Sequence, residues 1–132
     1  MIGLDTNILL RYFTQDDEKQ SEIANFYIEE QCSEENQAFI NSIVFCELVW
    51  VLEVAYKYEK TQIADVLEKI LQTSQFVVED TGAAWNALSS YKKSKADFSD
   101  ALLAEINKNA GCKKTFTFDK RASKLPEFEL LT

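Results

Sequence analysis

The sequence predicts an α/β fold with a mostly parallel central sheet covered by helices. Short runs rich in β-branched and aromatic residues alternate with longer segments of helical periodicity, the pattern of successive βαβ units. Hydrophobic residues make up 46% of the 132 positions, enough to bury a single core. With three glycines, one proline and no repeat, low-complexity stretch or linker, residues 1–132 read as one domain.

Met1 to Asp5 reads as a short buried strand, and Asp5 or Thr6 can cap a helix carrying Ile8, Leu9, Tyr12 and Phe13 on one side. A second helix is expected from Asp16 to about Gln31, with Ile23, Phe26 and Tyr27 turned inward. Ala38-Phe39-Ile40 is a second strand, and Asn41 or Ser42 caps the next helix. That helix, Ser42 to about Tyr56, is apolar on nearly all sides, which predicts burial. From Thr61 onward, Ile63, Val66, Leu67, Ile70 and Leu71 recur at helical spacing, and Phe76-Val77-Val78 forms a third strand. Helices follow over Ala83–Lys92 and Ser99–Asn109, the latter capped by Ser99 and stopped by Gly111. Thr115 to Phe118 alternates β-branched and aromatic residues as a strand does, and Phe128 to Leu131 makes an edge strand after Pro126.

Composition narrows the chemistry. The chain has no histidine, which removes Ser-His triads and ribonuclease mechanisms built on paired imidazoles. Cys32, Cys46 and Cys112 are odd in number and lack metal-ligand spacing, so neither a disulfide framework nor a zinc site is expected, and Cys46 reads as an inert core thiol. No apolar run reaches the roughly 18 residues needed to span a bilayer. The longest, Ile43 to Ala55, is broken by Glu47 and Glu53. With no basic segment leading into an apolar one at the start, a cytoplasmic protein without membrane contact is expected. A net charge of −8 argues against broad electrostatic adhesion to nucleic acid, though not against a nuclease that holds phosphate through metal ions and a local basic strip. Much of the acidity lies in Asp16-Asp17-Glu18, Glu29-Glu30 and Glu34-Glu35, which read as solvated helix faces.

Five other carboxylates stand among apolar residues: Asp5, Glu47, Asp97, Asp100 and Asp119. Burying acids is costly without a compensating cation, and few basic residues adjoin them. Asp5 and Asp119 end predicted strands, the edge where ligands gather in open α/β sheets. Glu47 has only Ile43, Val44, Trp50 and Val51 three and four positions away, and Asp97 and Asp100 share a face if both are helical. Four have an ordinary reading as well, Asp5 as a helix cap, Asp97 and Asp100 as first-turn acids and Asp119 as a turn residue, while Glu47 is the hardest to explain that way. Together they suggest one acidic pocket for Mg²⁺ or Mn²⁺, which prefer oxygen ligands and support phosphodiester hydrolysis without an imidazole.

The stretches Met1-Ile2-Gly3-Leu4-Asp5-Thr6-Asn7, Cys46-Glu47-Leu48, Ala96-Asp97-Phe98-Ser99-Asp100-Ala101-Leu102-Leu103-Ala104 and Thr117-Phe118-Asp119-Lys120 resemble, in order and spacing, the PIN-domain ribonucleases, and among them the VapC toxins. The resemblance implies a three-layer α/β/α domain around a mostly parallel sheet of four to five strands. It also implies Mg²⁺- or Mn²⁺-dependent endoribonuclease activity with Asp5, Glu47, Asp100 and Asp119 as the acidic quartet and Asp97 as an additional pocket acid. Asp5 and Asp100 are the implied metal ligands, and Thr6 and Asn7 support Asp5 through hydrogen bonds. It further implies a homodimer and an inhibitory antitoxin. Tyr12, Phe13, Phe26, Tyr27, Trp50, Tyr56 and Tyr58 supply more aromatics than one small core needs, and an exposed share would serve such partners. Arg11, Lys92, Lys93, Lys95, Lys120 and Arg121, followed by Lys124, flank the acids and are expected to hold RNA phosphates. Three alternatives compete: a PIN-domain RNA-processing nuclease without an antitoxin, a phosphoaspartyl phosphatase using Asp5, and a PIN-like interaction module without catalysis. The phosphatase reading is weakened by Asn7, where such enzymes carry a second Asp.

Overall fold

Short strands and helices alternate through the computed structural model, which describes residues 1–132. They group into two units, Met1–Glu79 and Asp80–Thr132.

In the first unit, β1 (Ile2–Gly3), β2 (Ala38–Ile40) and β3 (Phe76–Val78) form a parallel sheet in that order, with Ala38 in register with both Ile2 and Phe76. Parallel neighbours require long crossovers, and helices supply them. α1 (Thr6–Thr14), α2 (Glu18–Phe26) and a π-helical turn at Tyr27–Gln31 connect β1 to β2. α3 (Ser42–Val54) and α4 (Lys60–Gln72) connect β2 to β3. Asn41 begins α3 by accepting from Val44 N–H at 2.9 Å, and Gln62 accepts from Glu59 N–H at 2.8 Å to close a capping box on α4. Leu9, Ile40, Phe45, Leu48, Leu52 and Leu67 are fully buried in the core. Each such side chain stabilises the fold by about 1.5–3 kcal/mol.

In the second unit, α5 (Thr81–Lys93) packs on α6 (Phe98–Asn109) through buried Ala83, Ala84, Ala87, Ala101 and Ala104, whose small side chains let the helices approach. Tyr91 meets Phe98 edge to face at 5.8 Å. Gly111, at φ 101, takes the left-handed turn that ends α6. β4 (Thr115–Thr117) then pairs in parallel with β5 (Phe128–Leu130) across a 3₁₀ turn at Ala122–Lys124.

The five strands and their parallel pairing match the sequence expectation, but the hydrogen-bonded ladders are two, of three and two strands. The expected helix from Asp16 to Gln31 stops being α-helical at Phe26. Its inward face is formed by Ser21, Ala24 and Ile28, while Ile23, Phe26 and Tyr27 are exposed. Small residues allow α2 close to α1, and the Ser21 hydroxyl donates to Arg11 O at 2.8 Å. α3 is buried along Val44, Phe45, Leu48, Val49 and Leu52 only; Ile43 is 74% exposed and Trp50 63%. No helix is long and apolar enough to cross a membrane.

A polar cluster joins the ends of α1 and α3. Arg11 pairs with Asp16 at 3.0 Å and donates to Tyr56 Oη at 3.0 Å, while the Tyr56 hydroxyl donates to Asp16 at 2.7 Å. Hydrogen bonds from Tyr56 and Thr14, aided by the Arg11 charge, lower the Asp16 carboxyl from 3.8 to about 2. A depressed acid stabilises the fold above its unfolded pKa and loses that contribution as pH falls through the folded value. Asp16→Asn is therefore expected to flatten the fall in stability between about pH 4 and pH 2. Acid denaturation followed by circular dichroism checks this, and an unchanged profile contradicts it.

Candidate active site

Asp5 occupies the junction between β1 and α1, at the N-cap position, and its Oδ1 accepts from Thr6 N–H at 2.8 Å. Thr6 is only 4% exposed, and its hydroxyl donates to Glu47 Oε1 at 2.5 Å. One threonine thus links Asp5 on the first loop to Glu47 on α3. Asn7 is exposed and, with Arg11, lines a cleft of about 330 Å³ beside α1 and α2.

These acids are less deeply buried than the sequence predicts. Asp5, Glu47 and Asp119 are exposed, and Asp97 and Asp100 are half-buried. Glu47 has apolar neighbours because α3 carries an exposed apolar stripe, Ile43 and Trp50, on its own side. Apolar flanks were a guide to where Glu47 sits on the helix, not to its depth.

In the second unit, Asp97 takes the N-cap position expected of Ser99, with no hydrogen bond from its side chain to the helix backbone. Its Oδ1 instead pairs with Arg121 Nη1 at 3.1 Å, and Arg121 Nε donates to Lys95 O at 2.6 Å. Asp119 Oδ1 accepts from the backbone N–H of Arg121 at 2.8 Å and of Ala122 at 3.3 Å, which organises the 3₁₀ turn. Asp100 lies in the first turn of α6. Partial burial, then the charges of Asp97 and Asp119, raise its pKa, while Arg121 opposes them. A bound cation would relieve the burial and like charge that act on Asp100.

Within neither unit do three such side chains stand close enough to enclose a metal ion alone. The donor chemistry nevertheless fits a hard divalent cation, since every candidate ligand is a carboxylate oxygen and Asp97, Asp100 and Asp119 place like charge together that Arg121 offsets only in part.

Of the expected RNA-contacting cations, Lys92, Lys93, Lys95 and Lys120 are exposed. Arg11 and Arg121 are engaged in the ion pairs already described. Burial also pushes the half-buried Cys46 thiol up to about 11, which keeps it protonated and unreactive near neutrality. Sequence reasoning passed over Phe116 and Phe118, which are 65% and 82% exposed immediately before Asp119. The signal was present in the run Thr115-Phe116-Thr117-Phe118, although the strand ends at Thr117, one residue earlier than expected, and Phe118 lies in the bend that follows.

Residues 2–127 match the PIN domain family. A VapC ribonuclease of Aquifex aeolicus (strain VF5) is 34% identical over 122 residues, covering 92% of this chain and 90% of the relative. No solved structure matches the chain. Together, the match across nearly the whole length and the alternating α/β elements show that the chain belongs to the PIN-domain family, as a VapC-like member.

Proposed function

We propose that this chain is a Mg²⁺- or Mn²⁺-dependent endoribonuclease and the toxin of a toxin–antitoxin pair, acting in the cytoplasm as a homodimer. The likeness to a VapC ribonuclease along nine-tenths of the chain supports RNA as substrate. The observation that supports the reading is the accessibility of the acids: Asp5 between β1 and α1, Glu47 within α3, Asp97 and Asp100 at the start of α6 and Asp119 just beyond β4 are all exposed or half-buried.

Asp5 and Asp100 are the residues that would hold the cation, with Glu47 and Asp119 completing the acidic set. A bound Mg²⁺ or Mn²⁺ would polarise the phosphodiester and lower the pKa of the attacking water. Thr6 orients Glu47 by donating to Oε1, and its backbone N–H fixes one oxygen of Asp5. Arg121 occupies one oxygen of Asp97. With no histidine in the chain, a carboxylate is the available proton acceptor. Lys92, Lys93, Lys95 and Lys120 provide exposed charge for RNA phosphates.

Exposed Ile2, Ile8, Ile23 and Tyr27 border an apolar cleft of about 230 Å³ in the first unit, and Ile43, Trp50 and Val54 form an exposed stripe on α3. These surfaces suit an antitoxin segment or a second copy of the chain.

Purified protein is expected to cleave single-stranded RNA with Mg²⁺ or Mn²⁺, to stop in EDTA, and to recover on addition of Mn²⁺. Cleavage that persists in EDTA, or none under any metal, would sink the proposal.

A further inference from the structure

Phe116 on β4 and Phe118 in the bend just beyond its end have no role in the acid chemistry, yet they lead into Asp119. Exposure alternates along this run: Thr115 and Thr117 are half-buried, Phe116 is 65% exposed and Phe118 82%. Large aromatic surface left in water is unfavourable, so two rings in this state within three residues of Asp119 point to a ligand. Their surroundings indicate its chemistry. Exposed Glu129 lies in register with Phe116 on β5, and exposed Lys120 follows Asp119. Rings set singly among charges of both signs do not resemble the apolar centre of a protein–protein interface. They do resemble a surface for unpaired bases, with Lys120 alongside for a phosphate.

We infer that Phe116 and Phe118 form a stacking platform for two nucleobases of single-stranded RNA, delivering the strand to Asp119. The inference rests on the ribonuclease reading and adds a base-contacting subsite to it. Phe118 is the stronger of the two contacts, being the more exposed and adjacent to the acid.

The test is equilibrium binding of a fluorescently labelled, mixed-sequence single-stranded RNA to full-length protein in EDTA, so that no cleavage occurs, with fold retention checked by circular dichroism. Phe118→Ala is expected to weaken binding by about five- to a hundredfold, with a further loss on adding Phe116→Ala. Phe118→Trp should retain affinity. The slope of log affinity against log salt should stay unchanged in the Phe variants, because stacking releases no counterions, whereas Lys120→Gln should reduce it by about one. Wild-type affinity in the double Phe variant overturns the inference, as does a variant whose oligomeric state changes on gel filtration while RNA affinity does not. If the wild type cleaves RNA and the Phe variants bind it equally well, the platform fails and the nuclease reading survives. If the wild type neither binds nor cleaves RNA, both fail.

Discussion

Asp100→Asn is expected to lower RNA cleavage by about a hundredfold or more and to leave thermal stability unchanged or slightly higher. The two effects have one origin. In the folded chain, partial burial together with Asp97 and Asp119 raises the Asp100 pKa above 3.8. The native state then holds its proton more tightly than the unfolded state, so stability falls as pH rises through the window between the two pKa values. Above that window the ionised acid is a constant cost that asparagine removes. The favourable position of an acid in the first turn of α6, about 0.3–1 kcal/mol, offsets part of the gain. An acid kept where it destabilises the free protein is an acid suited to bind a cation. Asp5→Asn should reduce cleavage comparably while preserving the start of α1, since asparagine caps as well as aspartate. Cleavage assays, Mn²⁺ calorimetry and thermal melts on the same preparations check this. Wild-type cleavage and metal binding in both variants would reject Asp5 and Asp100 as ligands.

Thr6→Val is expected to reduce cleavage by about ten- to a hundredfold through loss of one charge-assisted hydrogen bond. Valine reproduces the shape of the side chain at this buried site but cannot donate to Glu47 Oε1. Glu47 is exposed, so the carboxylate left behind is solvated by water rather than stranded. The stability loss should therefore stay near the lower end of about 1–2 kcal/mol. Thr6→Ser keeps the hydroxyl and should keep most of the activity. The Val–Ser contrast separates orientation of Glu47 from simple packing at position 6; equal cleavage by Thr6→Val and wild type would mean that Glu47 finds its position unaided.

Which parts of the protein could be read from the chain follows from the range of the forces involved. The Ile63-Val66-Leu67-Ile70 period, the Asn41 cap and the Gly111 stop are set by residues within a few positions of one another, and each appears where expected. The acids at the strand ends were legible for the same reason, since Asp5 and Asp119 follow short β segments directly. Their depth was not. Whether Ile43 and Trp50 face core or water depends on what packs against α3, and no local pattern encodes that. Ile23, Phe26 and Tyr27 read as inward because they are large, yet Ser21, Ala24 and Ile28 face α1 because small residues permit close contact.

The sequence alone determined the α/β class, the order of strands and helices, and the set of acids with their oxygen-donor chemistry, because local periodicity and side-chain type suffice for these. Tertiary structure alone decided how each group is engaged. It tied Thr6 to Glu47 across 41 residues, committed Arg121 to Asp97 and Arg11 to Asp16, and divided the strands into two ladders. It also left Phe116 and Phe118 in solvent beside Asp119. Partners distant in sequence meet only once the chain has folded, so hydrogen bonds, ion pairs and exposure are properties of the packed molecule.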